Sequence, residues 1–168
     1  GAANDMVLDS FQVRNEDKLG KPFSVICYFS KSTDSMDEDI IYLEPLLKKH
    51  FTKNPFINPI RYLPVDFVFP STEKFILNLQ LPKGYLLAEK PKSIKLSTPS
   101  NKGNYAYLFN DISPTKIQIS SQLTISDPFI MPDEYNNLRE MFSQIMGKQA
   151  EQLVLKKEWW TLIFGNLF

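Results

Sequence analysis

Hydrophobic and polar positions alternate with a period of two along most of the chain, and the period changes only near the end. MVLDSFQVR and KPFSVICYFS, separated by the turn-like EDKLG, predict two strands; in the second, Phe23, Val25, Cys27 and Phe29 share one face and Ser24, Ile26, Tyr28 and Ser30 the other. IIYLEPLLKKH predicts a strand that Pro45 ends in an irregular turn. NPFINP is a rigid connection into RYLPVDFVFP, where Leu63, Val65, Phe67 and Phe69 alternate and Pro64, which cannot donate to a ladder, indicates a sheet edge. FILNLQL, YLLAEK, SIKLS and NYAYLFN then follow as strands separated by turn residues. KIQISSQLTIS closes the series, with Ile117, Ile119, Leu123 and Ile125 inward, Ser121 in the same register, and Gln118, Ser120, Gln122 and Thr124 outward. One solvated face is what an antiparallel sheet predicts.

From Pro132 the period becomes about 3.6. Tyr135, Leu138, Met141, Phe142, Ile145 and Met146 recur at helical spacing, opposite Asn136, Asn137, Arg139, Glu140 and Ser143. This predicts one amphipathic helix over about residues 132–150, with no ionisable pair on its buried face, followed by a final strand at QLVLKK. The expected fold is mainly β: a single antiparallel β-sandwich over residues 1–168, with the C-terminal amphipathic helix packed on it and an apolar tail at 159–168.

Composition narrows the function classes. The chain has 168 residues, and its nineteen basic and nineteen acidic side chains balance to zero net charge. That removes the long-range field a nucleic-acid binder uses, so nucleic acid is not an expected partner. No apolar run approaches the roughly 18–20 residues of a membrane span. No signal peptide is recognisable, and a first residue of glycine suits a piece of a longer protein.

Candidate chemistry is sparse. Cys27 and His50 are the one cysteine and the one histidine. Cys27 shares its face with Val25 and Phe29, which suggests a core thiol; His50 follows Lys48 and Lys49, which suggests a surface imidazole, so a catalytic dyad is not expected. One His and one Cys cannot assemble an ordinary zinc site. Asp37, Glu38 and Asp39 lack the ligand spacing and glycine of a calcium loop. No glycine loop is built to cradle phosphate. Lys83, Lys90, Lys92 and Lys95 flank turns, where lysine solvates a sheet or discourages edge pairing. No catalytic residue, cofactor or metal is expected. The candidate interaction residues are Tyr105, Tyr107 and Phe109, a strand face that could stack on a sugar or a peptide if exposed, and Trp159, Trp160 and Phe164 in the tail.

Two stretches carry a family resemblance. NPFINPIRYLPVDFVFPSTEKFILNLQLPKGY, above all its NPF, Arg61, the PVDF of Pro64 to Phe67 and the LPKGY of Leu81 to Tyr85, resembles the β-rich domain of unknown function that follows the transglutaminase-like core in Bacteroidetes proteins. EYNNLREMFSQIMGKQAEQLVLKK is similar to that domain's terminal helix and final strand. The resemblance spans about residues 54–157, and WWTLIFGNLF departs from the pattern. It implies a non-catalytic accessory domain of an exported, extracytoplasmic or periplasmic protein. It also implies that the partner is the transglutaminase-like core, whose Cys, His and Asp match nothing here. Self-association through the tail is a second expected contact, and a carbohydrate- or peptide-binding module is the alternative function.

Overall fold

The computed structural model describes residues 6–31 and 39–158. Among the described residues the fold is mainly β, antiparallel in every pairing, with one helix near the C-terminus and no closed barrel. By its internal contacts the chain divides into two compact units, residues 1–39 and 40–168.

The first unit is a hairpin of β1 (Met6–Arg14) and β2 (Ser24–Lys31). Asn15 and Gly20 turn the chain at positive φ, and the Asn15 side chain donates to Pro22 O across 2.8 Å. The register pairs Leu8 with Phe29, Phe11 with Cys27 and Val13 with Val25, so all six lie on one face. That face is exposed; Phe11 keeps 63% of its surface. Cys27 is exposed as well, which corrects the expectation of a core thiol. The alternation correctly groups Cys27 with Val25 and Phe29, but a two-stranded ribbon has no second layer to close over them.

The second unit holds the core. β5 (Ser71–Gln80), β9 (Lys116–Ile125), β8 (Gly103–Ser113) and β7 (Ile94–Ser97) form a four-stranded sheet in that order, and β3 (Ile40–Leu43), β11 (Leu153–Lys157) and β6 (Tyr85–Glu89) a three-stranded one. Two-residue strands β4 (Val65–Asp66) and β10 (Phe129–Ile130) pair with each other. On β9, Ile117, Ile119, Ser121 and Ile125 are buried while the alternate positions keep solvent contact, as the period-two pattern requires.

Helix α1 (Tyr135–Gln149) buries Tyr135, Leu138, Met141, Phe142 and Ile145, the face its periodicity marks. It packs closely on β8: a Cβ built on Gly103 would lie 2.9 Å from the Met141 methyl. The helix starts three residues later than the sequence suggests, because Pro132–Glu134 form a turn in which the Glu134 carboxylate accepts the Met131 N–H. Its buried face also carries an ion, against expectation. Lys148 is buried, donating to Lys92 O at 2.9 Å and to Glu151 Oε1 at 2.6 Å, with its ammonium 5.5 Å above the Tyr107 ring. A long stem on an apolar face, with the charge met by a carboxylate at its rim, is how lysine is accommodated at such a position.

The proline-rich stretch is irregular rather than a strand. Only Val65 and Asp66 pair, and Leu63, Val68 and Phe69 are exposed. Asp66 Oδ1 accepts the Val68 N–H at 2.7 Å and Phe67 O the Phe69 N–H at 2.9 Å, a double turn that holds Val68 at φ 71°. A β-branched residue is strained in that region. Inward, the stretch is stitched to α1. Phe142 stacks on Phe51 and meets Phe56 edge-on, both with centroids 4.7 Å away, and Tyr135 donates to Asn58 O at 2.8 Å.

Candidate functional site

Among the described residues, the side chains most nearly arranged for chemistry converge where the segment after β3 crosses the inner face of β5, β9 and β8. His50 Nδ1 lies 3.1 Å from Glu73 Oε2 on β5, His50 Nε2 lies 3.0 Å from Ser121 Oγ on β9, and Ser121 Oγ lies 3.0 Å from the Tyr105 hydroxyl on β8. The register brings them together: Ser121 sits opposite Phe75 and Tyr107, one step from Glu73 and Tyr105 on the same face. The His50 and Tyr105 rings meet edge-on at 5.9 Å. His50 N–H donates to Gln149 Oε1 at 2.7 Å, which ties the segment to the end of α1.

The order carboxylate, imidazole, hydroxyl is that of a hydrolase triad, and burial decides against reading it as one. The His50 side chain retains 3% of its surface and Ser121 none. A nucleophile must present its oxygen to a carbonyl carbon with oxyanion donors beyond it; among the described residues Ser121 Oγ meets only the His50 ring and the Tyr105 hydroxyl. The Glu73 carboxylate can only accept, so Nδ1 carries the proton, Nε2 accepts from Ser121, and Ser121 accepts from Tyr105. Every polar atom in that chain is satisfied, which makes it a clamp holding three strands and a loop in register. Burial raises the Glu73 carboxyl, but hydrogen bonds from Lys48 and His50 and the charge of Lys48 outweigh it, leaving the group below its usual range. Burial holds the Tyr105 and Tyr107 phenols above theirs, so both stay neutral.

His50 is thus a buried residue, not the expected surface one. The polar run around it hid this, because its partners lie 23 and 71 positions away. The signal was present in Ser121, a hydroxyl in an otherwise apolar inward register. Both ring nitrogens of His50 are engaged within the second unit.

The aromatic candidates do not form an open surface. Tyr105 and Tyr107 keep 1% and 0% of their surface, and their face is the one α1 closes. Phe109, partly exposed, carries the Lys90 ammonium 5.1 Å from its ring centre. Trp159, Trp160 and Phe164 lie outside the described residues, as do Asp37 and Glu38. On the outward face a shallow depression is lined by Ser97, Asn101, Asn104, Gln122 and Thr124. Several of these bond one another, Ser97 Oγ to Asn101 Oδ1 at 2.7 Å and Asn104 Nδ2 to Asn101 O at 3.0 Å. Among the described residues no group of three or more His, Cys, Asp or Glu side chains is placed to hold a metal, and no helix is long and apolar enough to cross a membrane.

Comparison with known proteins agrees with this fold. The model of a domain of unknown function with a solved structure, DUF3858, matches residues 39–155. The chain belongs to the DUF3858 family. The matched segment begins where the second unit begins, so the hairpin lies outside the DUF3858 domain proper. A crystal structure of a "putative protease" from Parabacteroides distasonis is similar over 60% of this chain, at 14% identity and a TM-score of 0.50. That likeness is one of fold, and the aligned chain spans 19% of the other protein's length. No curated protein matches the sequence.

Proposed function

We propose that this DUF3858 chain is a non-catalytic accessory domain of a longer, exported protein with a transglutaminase-like, peptidase-like core, and that it braces the core or frames its cleft outside the cytoplasm. The observation that carries the reading is the closure of the Glu73–His50–Ser121–Tyr105 chain: the hydrolase-like constellation found among the described residues is spent on holding the sheet together. The fold shared with a small part of a much longer chain named for protease activity is consistent with a domain that accompanies a catalytic one. Burial of Tyr105 and Tyr107 removes the surface on which a carbohydrate- or peptide-binding reading depends.

The test uses the parent protein. Deleting residues 40–158 should lower the melting temperature of the transglutaminase-like core, and the separately made domain should bind that core and restore it. The isolated chain should show no amidase, esterase or transamidation activity above blank. A turnover lost on Ser121→Ala while the fold persists, or a core indifferent to the domain, would overturn the reading.

A further inference from the structure

The proline-rich stretch from Asn54 to Pro70 buries one side and shows the other. Phe56 and Val65 are closed, whereas Ile57, Ile60, Tyr62, Leu63, Val68 and Phe69 are exposed, Tyr62 keeping 85% of its surface and Leu63 73%. β10 adds to the outward side, since Phe129 stands opposite Asp66 in the β4–β10 pair and is itself exposed. Single exposed apolar side chains need no explanation, but a run of them this dense marks a contact surface.

The outward side chains are presented on a fixed backbone. Pro55, Pro59, Pro64 and Pro70 restrict φ along the stretch. Asn54 Nδ2 donates to Ser143 Oγ at 3.1 Å and Tyr135 to Asn58 O at 2.8 Å, which ties the stretch to α1, and Arg61 Nε donates to Leu63 O at 3.0 Å. The Asp66 turn holds Val68, exposed, at its strained φ. A surface ordered before it meets a partner loses less entropy on binding.

Its chemistry is that of a protein contact. From Asn54 to Thr72 the charged side chains are Arg61 and Asp66, in a chain that carries nineteen basic and nineteen acidic ones. Protein interfaces favour Tyr, Phe and Arg and are depleted in Lys and Glu. Arg139 lies beside the same stretch, sharing a depression with Pro59, Asn136, Asn137, Glu140 and Ser143. Glu140 there accepts from Gln144 Nε2 at 3.1 Å, and among the described residues neither Arg61 nor Arg139 is ion-paired. Two guanidiniums without carboxylates, set among exposed apolar side chains, fit an apolar surface that supplies carboxylates of its own.

We propose that this face is the one the domain turns to the transglutaminase-like core, whose apolar ground covers Tyr62, Leu63 and Phe69 and whose carboxylates meet Arg61 and Arg139. The inference rests on the accessory reading above and adds the surface that serves it. A second copy fits less well, because a two-fold contact would set the mid-stretch Arg61 near its own equivalent. A lipid surface is met by amphipathic elements rich in lysine and arginine, and within this stretch Arg61 is the one basic residue.

Titration calorimetry of the full chain against the separately made core tests this. Tyr62→Ser and Arg61→Glu should each weaken binding at least about tenfold, while Ile112→Ser, at an exposed apolar position of β8, should leave the Kd unchanged. All three variants should keep the melting temperature of the unaltered chain, because the side chains replaced are exposed. Added salt should weaken the unaltered chain more than Arg61→Glu. Unchanged affinity in Tyr62→Ser and Arg61→Glu, with the core still bound, would overturn this surface and leave the accessory reading standing; a core that binds none of the chains would overturn both. Two further results would give the surface another occupant and overturn the proposal: self-association in sedimentation that Tyr62→Ser abolishes, and binding to phosphatidylglycerol–phosphatidylethanolamine vesicles that Arg61→Glu abolishes.

Discussion

The β1–β2 hairpin and the sheet beneath α1 are written in the same alternating code and meet opposite fates. In the hairpin, Leu8, Phe11, Val13, Val25 and Phe29 share a face and remain exposed. On β8 and β9, Tyr105, Tyr107, Ile119 and Ser121 share a face and are closed. The difference is a second layer: α1 lies over the latter, with Phe51 and Phe56 packed on its Phe142. Alternation tells which side chains stand together, and only a covering element turns that into stability.

The sharpest way to break this comparison is to truncate one phenyl ring on each side. Phe142→Ala removes the centre of the Phe51, Phe56 and Phe67 cluster and should cost about 3–5 kcal/mol, whereas Phe11→Ala should stay within about 0.5 kcal/mol in the same urea melts. Equal losses would show that the hairpin face is covered after all. Next, Ser121→Ala leaves His50 Nε2 and the Tyr105 hydroxyl without their shared partner inside the core and should cost about 1–3 kcal/mol. Pairing it with His50→Phe in a double-mutant cycle should give much less than the sum, because both break one chain.

A smaller effect concerns acid. The Lys102 ammonium, then Ser100 and the Met131 N–H, draw the Glu134 carboxyl down from 4.5 to about 2. The unfolded chain thus binds more protons than the folded one across that interval. Glu134 therefore contributes stability that is fully present above the usual carboxylate range and is lost as the pH falls from about 4.5 toward 2. Melts over this range should show a shallower decline for Glu134→Gln than for the parent chain; an unchanged slope would remove Glu134 from the account. Smallest of all, Arg139→Ala on the wet face of α1 should change stability by less than about 0.5 kcal/mol.

How much was legible follows from the same contrast. The inward row of β9, the buried face of α1 and the antiparallel, mainly β class could be read from periodicity, because each is a local repeat that the sheet or helix preserves. Cys27 and His50 could not, since burial depends on what arrives from elsewhere: Cys27 stays exposed, while Glu73 and Ser121 come to His50 from distant strands. In RYLPVDFVFP the alternation misled, because Asp66 captures the Val68 amide and turns the chain before a strand can propagate. Lys148 was hidden by its charge, which reaches a carbonyl and a carboxylate at the rim of a face that is otherwise apolar.

The strand order of the three-stranded sheet has a consequence in time. β11 lies between β3 and β6, which do not pair with each other, so two strands separated by some forty residues are joined, among the described residues, through the strand that comes last. During synthesis β3 and β6 emerge first and wait unpaired until residues 153–157 leave the ribosome. Contacts of such long sequence separation form late and slow folding, and the waiting strands are exposed to mispairing. Nascent chains arrested before Leu153 should therefore be open to protease around β3 and β6, and extending them by the single strand β11 should close both sites together.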